Sequence, residues 1–142
     1  VGNEDHPSFR ANNFEKLHIE DIYHMATAVV FPSEVEGRGL TIVESSACGI
    51  PIICSHYNPQ EVFAEVVGEG LPDVQRMHYT LFPAGEFCES FLDEVSRLLL
   101  QPGSNRARAS HNRAAVRSRY SSTKLSATFA GCLELLNDIK YA

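Results

Sequence analysis

No run in this 142-residue chain approaches the ~20 consecutive apolar residues that a membrane-crossing helix needs, and the polar opening VGNEDHPSFR lacks the features of a secretory signal. A basic excess is missing too: 12 Lys and Arg stand against 18 Asp and Glu, for a net charge of −6 and a pI near 5.5. General binding to nucleic acid or to an anionic membrane needs a positive field, so both are set aside in favour of a small-molecule partner. Closely spaced cysteine pairs are absent. Cys48, Cys54, Cys88 and Cys132 sit singly within apolar stretches, which signals neither a zinc cluster nor a disulfide framework and predicts buried free thiols in a reducing, cytoplasmic compartment. The six histidines include no HExxH spacing; His18 and His24 share a surface with Asp21, read as ordinary capping or solvated groups. Internal repeats and low-complexity segments are also lacking. What is present, 44% hydrophobic and 21% charged residues, is the composition of one globular domain. The chain opens at Val1 and enters patterned sequence almost at once, as expected of an excerpt from a longer protein.

Short β-branched runs alternate with stretches of helical period, the pattern of an α/β layer fold. Phe14–Leu17, Ala28–Phe31 (AVVF), Pro51–Cys54 (PIIC) and Tyr79–Phe82 (YTLF) read as strands. Helices are predicted over Ile19–Ala26, with Ile22, Met25 and Ala26 on one face, over Thr41–Cys48 up to Gly49, and over Gln60–Val67. Three more helices follow: one through Phe91 and Leu99 to Pro102-Gly103, one from about Asn105 to Tyr120, and one carrying Leu125, Phe129, Leu133 and Leu136. A crossover helix between AVVF and PIIC implies a βαβ unit in a parallel sheet. With three or four strands, this is a partial doubly wound sheet.

Ligands of open parallel sheets bind outside the carboxyl ends of the strands, where the loop Pro32–Gly39 follows AVVF. Gly37 and Gly39 let main-chain N–H groups approach a ligand closely, and the next helix, starting near Leu40 or Thr41, offers its positive end to a phosphate. Glu36 before the loop and Glu44 one turn into the helix place a carboxylate at each end, suited to hydroxyls of a polyhydroxylated phosphate ester. The structural alternative is equally concrete: Thr41-Ile42-Val43-Glu44 is a capping-box pattern in which Glu44 serves its own helix end.

The run DIYHMATAVVFPSEVEGRGLTIVESSACGIPII resembles the signature stretch of retaining glycosyltransferases of family 4, which have the two-domain GT-B fold. Asp21-Ile22-Tyr23, Pro32-Ser33, the E-x7-E pair Glu36 and Glu44 around Gly37, Gly39 and Leu40, and Ala47-Cys48-Gly49 with Pro51 stand in the family's order and register. Further matches are Pro59, Glu61 and Val62, the turn Leu81–Gly85, and Arg113, Val116, Arg119, Tyr120 and Ser121.

The resemblance implies that residues 1–142 are a single, truncated donor-binding domain: a partial Rossmann-like parallel sheet flanked by helices, the carboxy-terminal half of a GT-B enzyme, with carboxy-terminal helices over 104–142. The donor would be a nucleoside-diphosphate sugar such as a UDP- or GDP-sugar, transferred with retention to an acceptor hydroxyl, with no metal and no cofactor. Glu36, the residue assigned to catalysis, would contact donor-sugar hydroxyls as a positioning group, and Glu44 would bind the ribose. Main-chain groups of Gly37, Arg38 and Gly39 would face the sugar and those of Leu40 and Thr41 the diphosphate, with the base near Phe14–Leu17. A cationic Arg and Lys, together with an amino-terminal acceptor domain, would lie upstream of Val1, and this segment alone would be inactive. Nucleic acid is no partner, and any membrane association is peripheral.

Arg106, Arg108, Arg113, Arg117, Arg119 and Lys124 concentrate positive charge in a short span and read as a solvated helix face. Two further readings stand beside the enzyme segment: a non-catalytic nucleotide-sugar-binding or regulatory module, and a flavodoxin-like or sugar-phosphate-binding domain in which Glu44 is only a capping acid.

Overall fold

In a computed structural model of the chain, residues 7–12 and 18–140 are described. The expected strand Phe14–Leu17, and with it the predicted base-binding region, lies outside the described residues. The elements run α1 (Pro7–Ala11), α2 (Ile19–Met25), β1 (Val29–Phe31), α3 (Leu40–Cys48), β2 (Ile52–Cys54), α4 (Gln60–Val67), a 3-10 turn (Asp73–Gln75), β3 (Thr80–Leu81), α5 (Glu89–Leu100), a second 3-10 turn (Pro102–Asn105), α6 (Arg106–Tyr120) and α7 (Ser122–Lys140). The strands form a parallel sheet in the order β1-β2-β3, with Val29 opposite Ile52, Phe31 opposite Cys54, and Cys54 opposite Leu81. This is the partial Rossmann-like, helix-flanked sheet that the alternating pattern predicts, followed by carboxy-terminal helices.

The centre of the sheet explains its sequence. Ile52, Ile53 and Cys54 of β2 are all buried, so the strand is apolar on both faces, as a parallel sheet covered on both sides requires. Its neighbour β1 is buried on one face only: Val30 is 57% exposed, which corrects the expectation of a fully buried AVVF strand. Around β2 pack Ile42 of α3, Phe63 and Val66 of α4, and Ala115 and Val116 of α6. Helix α2 turns inward through Tyr23, whereas Ile22 and Met25, the expected inner face, are exposed. Of the four free thiols only Cys54 is buried; Cys88 and Cys132 are exposed, because α5 and α7 carry apolar residues on faces that no described element covers.

The basic stretch also needs correction. Arg113 donates to the carbonyl of Cys48, the last residue of α3, and Arg119 donates to the carbonyls of Glu65 and Val66 at the end of α4. Arg113 thus serves the Cys48 carbonyl and Arg119 the Val66 carbonyl, which the helix ends leave without a main-chain partner among the described residues. The Glu65 carbonyl also accepts from the Gly68 N–H, and at both ends the helix dipole favours a cation. Gly49 ends α3 in the left-handed region, and a Cβ there would stand 2.6 Å from Arg113 Nε, so the glycine and the arginine act together as the stop. Arg108 pairs with Glu94 at 3.2 Å and donates to Thr80 at 2.9 Å, tying α6 to α5 and β3. Arg106, Arg117 and Lys124 keep the solvated role.

Burial pushes the Cys54 thiol up from 9.0 to about 12, and the hydroxyls of Tyr23 and Tyr57 up from 10.0 to about 12. Each group loses its proton in the unfolded chain before it does so in the folded one. Their contribution to stability is therefore complete below pH 9 and is lost as pH rises toward 12. Urea unfolding across pH 8 to 11 is expected to show falling stability from about pH 9, and Cys54→Ala should make that fall shallower by about 1.4 kcal/mol per pH unit. An unchanged slope in the variant would show that Cys54 keeps no proton in the fold.

Candidate functional site

The loop from Pro32 to Gly39 begins at the carboxyl end of β1. Ser33 Oγ donates to the Val35 carbonyl at 3.0 Å and shapes the first turn. The Glu36 N–H then donates to the Asn58 carbonyl at 2.9 Å, and the Asn58 N–H to the Glu34 carbonyl at 2.8 Å, so Val35 and Asn58 extend the β1–β2 pairing beyond the strands. This pairing draws the glycine segment against Tyr57, which is fully buried and packs edge-on to Phe31 and Phe63. Gly39 follows as the cap of α3 with φ 57° and ψ 33°. A Cβ at Gly39 would lie 2.1 Å from Tyr57 Oη, so only glycine fits, for backbone and for space alike. Gly37 has no such constraint: nothing stands within 4 Å of an added Cβ.

Helix α3 therefore starts at Leu40, with no side-chain cap, and among the described residues the N–H groups of Leu40 and Thr41 have no partner. That overturns the capping-box reading. Thr41 is already the second helical residue, and the Glu44 carboxylate instead accepts a hydrogen bond from Tyr23 Oη at 2.9 Å. Burial, then this bond and the nearby Glu44 charge, account for the raised pKa of Tyr23. The Tyr57 hydroxyl is pushed up by burial and then by the Glu36 charge, and it makes no hydrogen bond among the described residues. Asp21, the acid of the DIY segment, accepts from the His18 N–H at 2.8 Å in a capping box whose cap is His18, the capping role read for that histidine.

The structure brings six of the seven predicted site residues, Glu36, Gly37, Arg38, Gly39, Leu40 and Thr41, onto one continuous edge at the carboxyl end of the sheet. Glu44 sits one turn deeper, on the side of α3 that meets α2. The half-buried Glu36 carboxylate makes no hydrogen bond or ion pair among the described residues, and Arg38 is exposed and forms no ion pair there. Gly37, Arg38, Leu40 and Val43 share a cavity of about 500 Å³ with α4 and Tyr120. A second cavity, of about 560 Å³, opens at the carboxyl ends of all three strands between Glu34, His56, Asn58, Phe82 and Phe87; it shares no residue with the predicted set. Sequence reasoning missed two residues: Tyr57, which no local pattern marks, and the role of Tyr23, visible only as the third letter of DIY.

Residues 12–115 match the family described as Glycosyl transferases group 1. The chain belongs to this family, whose members are glycosyltransferases of the GT-B superfamily. A D-inositol 3-phosphate glycosyltransferase of Actinosynnema mirum is 36% identical over 92 residues, 64% of this chain and 19% of that protein. An O-antigen chain mannosyltransferase B of Escherichia coli is 42% identical over 48 residues, 34% of this chain and 12% of that protein. The chain thus spans less than a fifth of either relative's length. No solved structure gives a significant match. Among the described residues no helix is long and apolar enough to cross a membrane.

The two glycines separate by substitution. Gly39→Ala is expected to lower stability by at least ~1–2 kcal/mol through left-handed strain alone, and by more through overlap with Tyr57, whereas Gly37→Ala should leave it within about 0.5 kcal/mol. Chemical unfolding of both variants checks this. Equal effects would mean that Gly39 is not held against Tyr57.

Proposed function

We propose that this chain is the donor-binding part of a retaining, family 4-like glycosyltransferase that takes a nucleoside-diphosphate sugar such as a UDP- or GDP-sugar. The observation that carries the reading is the uncapped amino end of α3, two N–H groups wide, set between the unpaired carboxylate of Glu36 and that of Glu44. The diphosphate sits on the N–H groups of Leu40 and Thr41, where the helix dipole favours an anion. Main-chain groups of Gly37, Arg38 and Gly39 face the sugar, whose hydroxyls Glu36 orients. Glu44 accepts from the ribose hydroxyls, and Tyr23, already bonded to it, fixes its rotamer.

In the transfer the bond from the anomeric carbon to the β-phosphate oxygen breaks and the diphosphate leaves with the electron pair; the acceptor oxygen bonds to that carbon on the same face, and its hydroxyl proton passes to the departing diphosphate oxygen. Negative charge grows on the leaving group and positive charge on the sugar, so preorganised donors and Glu36 lower the barrier by holding both in place. The chemistry calls for no cofactor. The remaining cationic groups and the acceptor-binding surface belong to an amino-terminal domain of the same enzyme, which acts in the cytoplasm in carbohydrate biosynthesis. Alone, residues 1–142 are inactive.

Calorimetry on the intact protein with UDP, GDP and their sugars tests the assignment. Glu44→Ala is expected to weaken free nucleotide and nucleotide sugar alike, by about tenfold or more, equivalent to ~1.4 kcal/mol. Glu36→Ala should weaken the nucleotide sugar only. Indifference of the wild type to every nucleotide, or wild-type affinity in both variants, would reject the proposal.

A further inference from the structure

At the amino end of β3, on the far side of the sheet from the glycine loop, three side chains from three separate segments converge: Asp73 of the 3-10 turn, His78 just before β3, and His111 of α6. One ligand atom from each lies within 4.8 Å of the others. We propose that they form a site for a divalent metal ion of the zinc class, which clips the segment between α4 and β3 to α6.

The donor set is two imidazoles and a carboxylate, the borderline mixture that suits Zn²⁺ and its neighbours in the transition series rather than Mg²⁺ or Ca²⁺. A tetrahedral ion with bonds of about 2.0–2.1 Å holds its ligand atoms about 3.3 Å apart. His78 Nε2 and Asp73 Oδ1 already stand at 3.4 Å. The His111 ring lies on the His78 ring, with centroids 4.0 Å apart and planes at 14°, which keeps a His111 ligand atom within 4.8 Å of the other two. His111 Nε2 is 2.9 Å from the Arg76 carbonyl. With that nitrogen donating, Nδ1 keeps the free lone pair, the outer-sphere arrangement that fixes the tautomer of metal-bound imidazoles.

The frame beneath is rigid. Asn112, buried and adjacent to His111, clamps the main chain of His78 from both sides: the His78 N–H donates to Asn112 Oδ1 at 2.8 Å, and Asn112 Nδ2 donates to the His78 carbonyl at 2.8 Å. His78 and His111 are thereby held as a pair whatever their rings do. Arg108, which shares a cavity with His78 and His111, is paired with Glu94 at 3.2 Å, so its charge is largely offset.

Zinc chloride titrated calorimetrically into the intact, chelator-stripped protein tests the site. The expected result is saturable binding of one equivalent with a higher Tm. Asp73→Asn should lower affinity about tenfold and the His78→Ala, His111→Ala double variant about 100-fold or more. His78→Ala alone removes a ligand but leaves the Asn112 clamp on the main chain, so loss of binding in that variant cannot be ascribed to misfolding. Absence of saturable zinc binding in the wild type, or wild-type affinity in the double variant, would overturn the proposal. Nucleotide binding is expected to be unchanged in His78→Ala, so this test and that of the donor site fail independently.

Discussion

The position of the glycine loop depends on one contact, between the α carbon of Gly39 and the buried hydroxyl of Tyr57. Tyr57 is held by aromatic edges on two sides, so its ring does not yield, and the chain can cross it only where there is no Cβ. The left-handed turn at Gly39 follows from that crossing, and the turn starts α3 at Leu40 without a side-chain cap. A residue with a Cβ would need both a strained backbone and a displaced ring, two costs that glycine avoids together. The free N–H groups at the mouth of the site are thus the product of a packing constraint several residues away.

Helix α3 is pinned at two more points. Its carboxyl end is closed by Gly49 and Arg113 together, and its middle is tied to α2 through Tyr23 and Glu44. Ile42, Ser45 and Ser46 are buried, so the helix cannot slide along the sheet without exposing Ile42. Its amino end is therefore delivered to a fixed place at the carboxyl edge of the strands. Fixed dipoles of this kind need no reorganisation when a charged ligand arrives or when charge redistributes during a reaction.

Strands β1, β2 and β3 and helix Gln60–Val67 were legible in the sequence as elements, because apolar runs and apolar spacing are local signals, but burial on both faces agrees only for β2. The loop residues Glu36 to Thr41 were legible as a candidate site because topology alone puts a loop after AVVF at the ligand-binding edge. Other features depend on contacts between distant segments, which periodicity does not encode. Arg113 meets Cys48 across 65 residues and Asn112 meets His78 across 34, so the first read as a solvated charge and the second carried no signal. The capping-box pattern misled for a related reason: Thr41-x-x-Glu44 fits the motif, but Tyr57 fixes the cap at Gly39, two residues earlier, and Tyr23 takes the carboxylate. Likewise Ile22 and Met25 have the right spacing for an inner face, yet the hydroxyl of Tyr23 finds Glu44 and turns the helix the other way.

In the proposed function the amino end of α3 receives the phosphates of a nucleotide. Amide proton and nitrogen chemical shifts of the intact protein, followed as UDP or GDP is added, test it most directly. The largest shifts are expected at the N–H groups of Leu40 and Thr41, with smaller ones at Gly37 and Gly39. Shifts centred instead on the cavity around His56, Asn58 and Phe87, or none at Leu40 and Thr41 at saturating nucleotide, would contradict it.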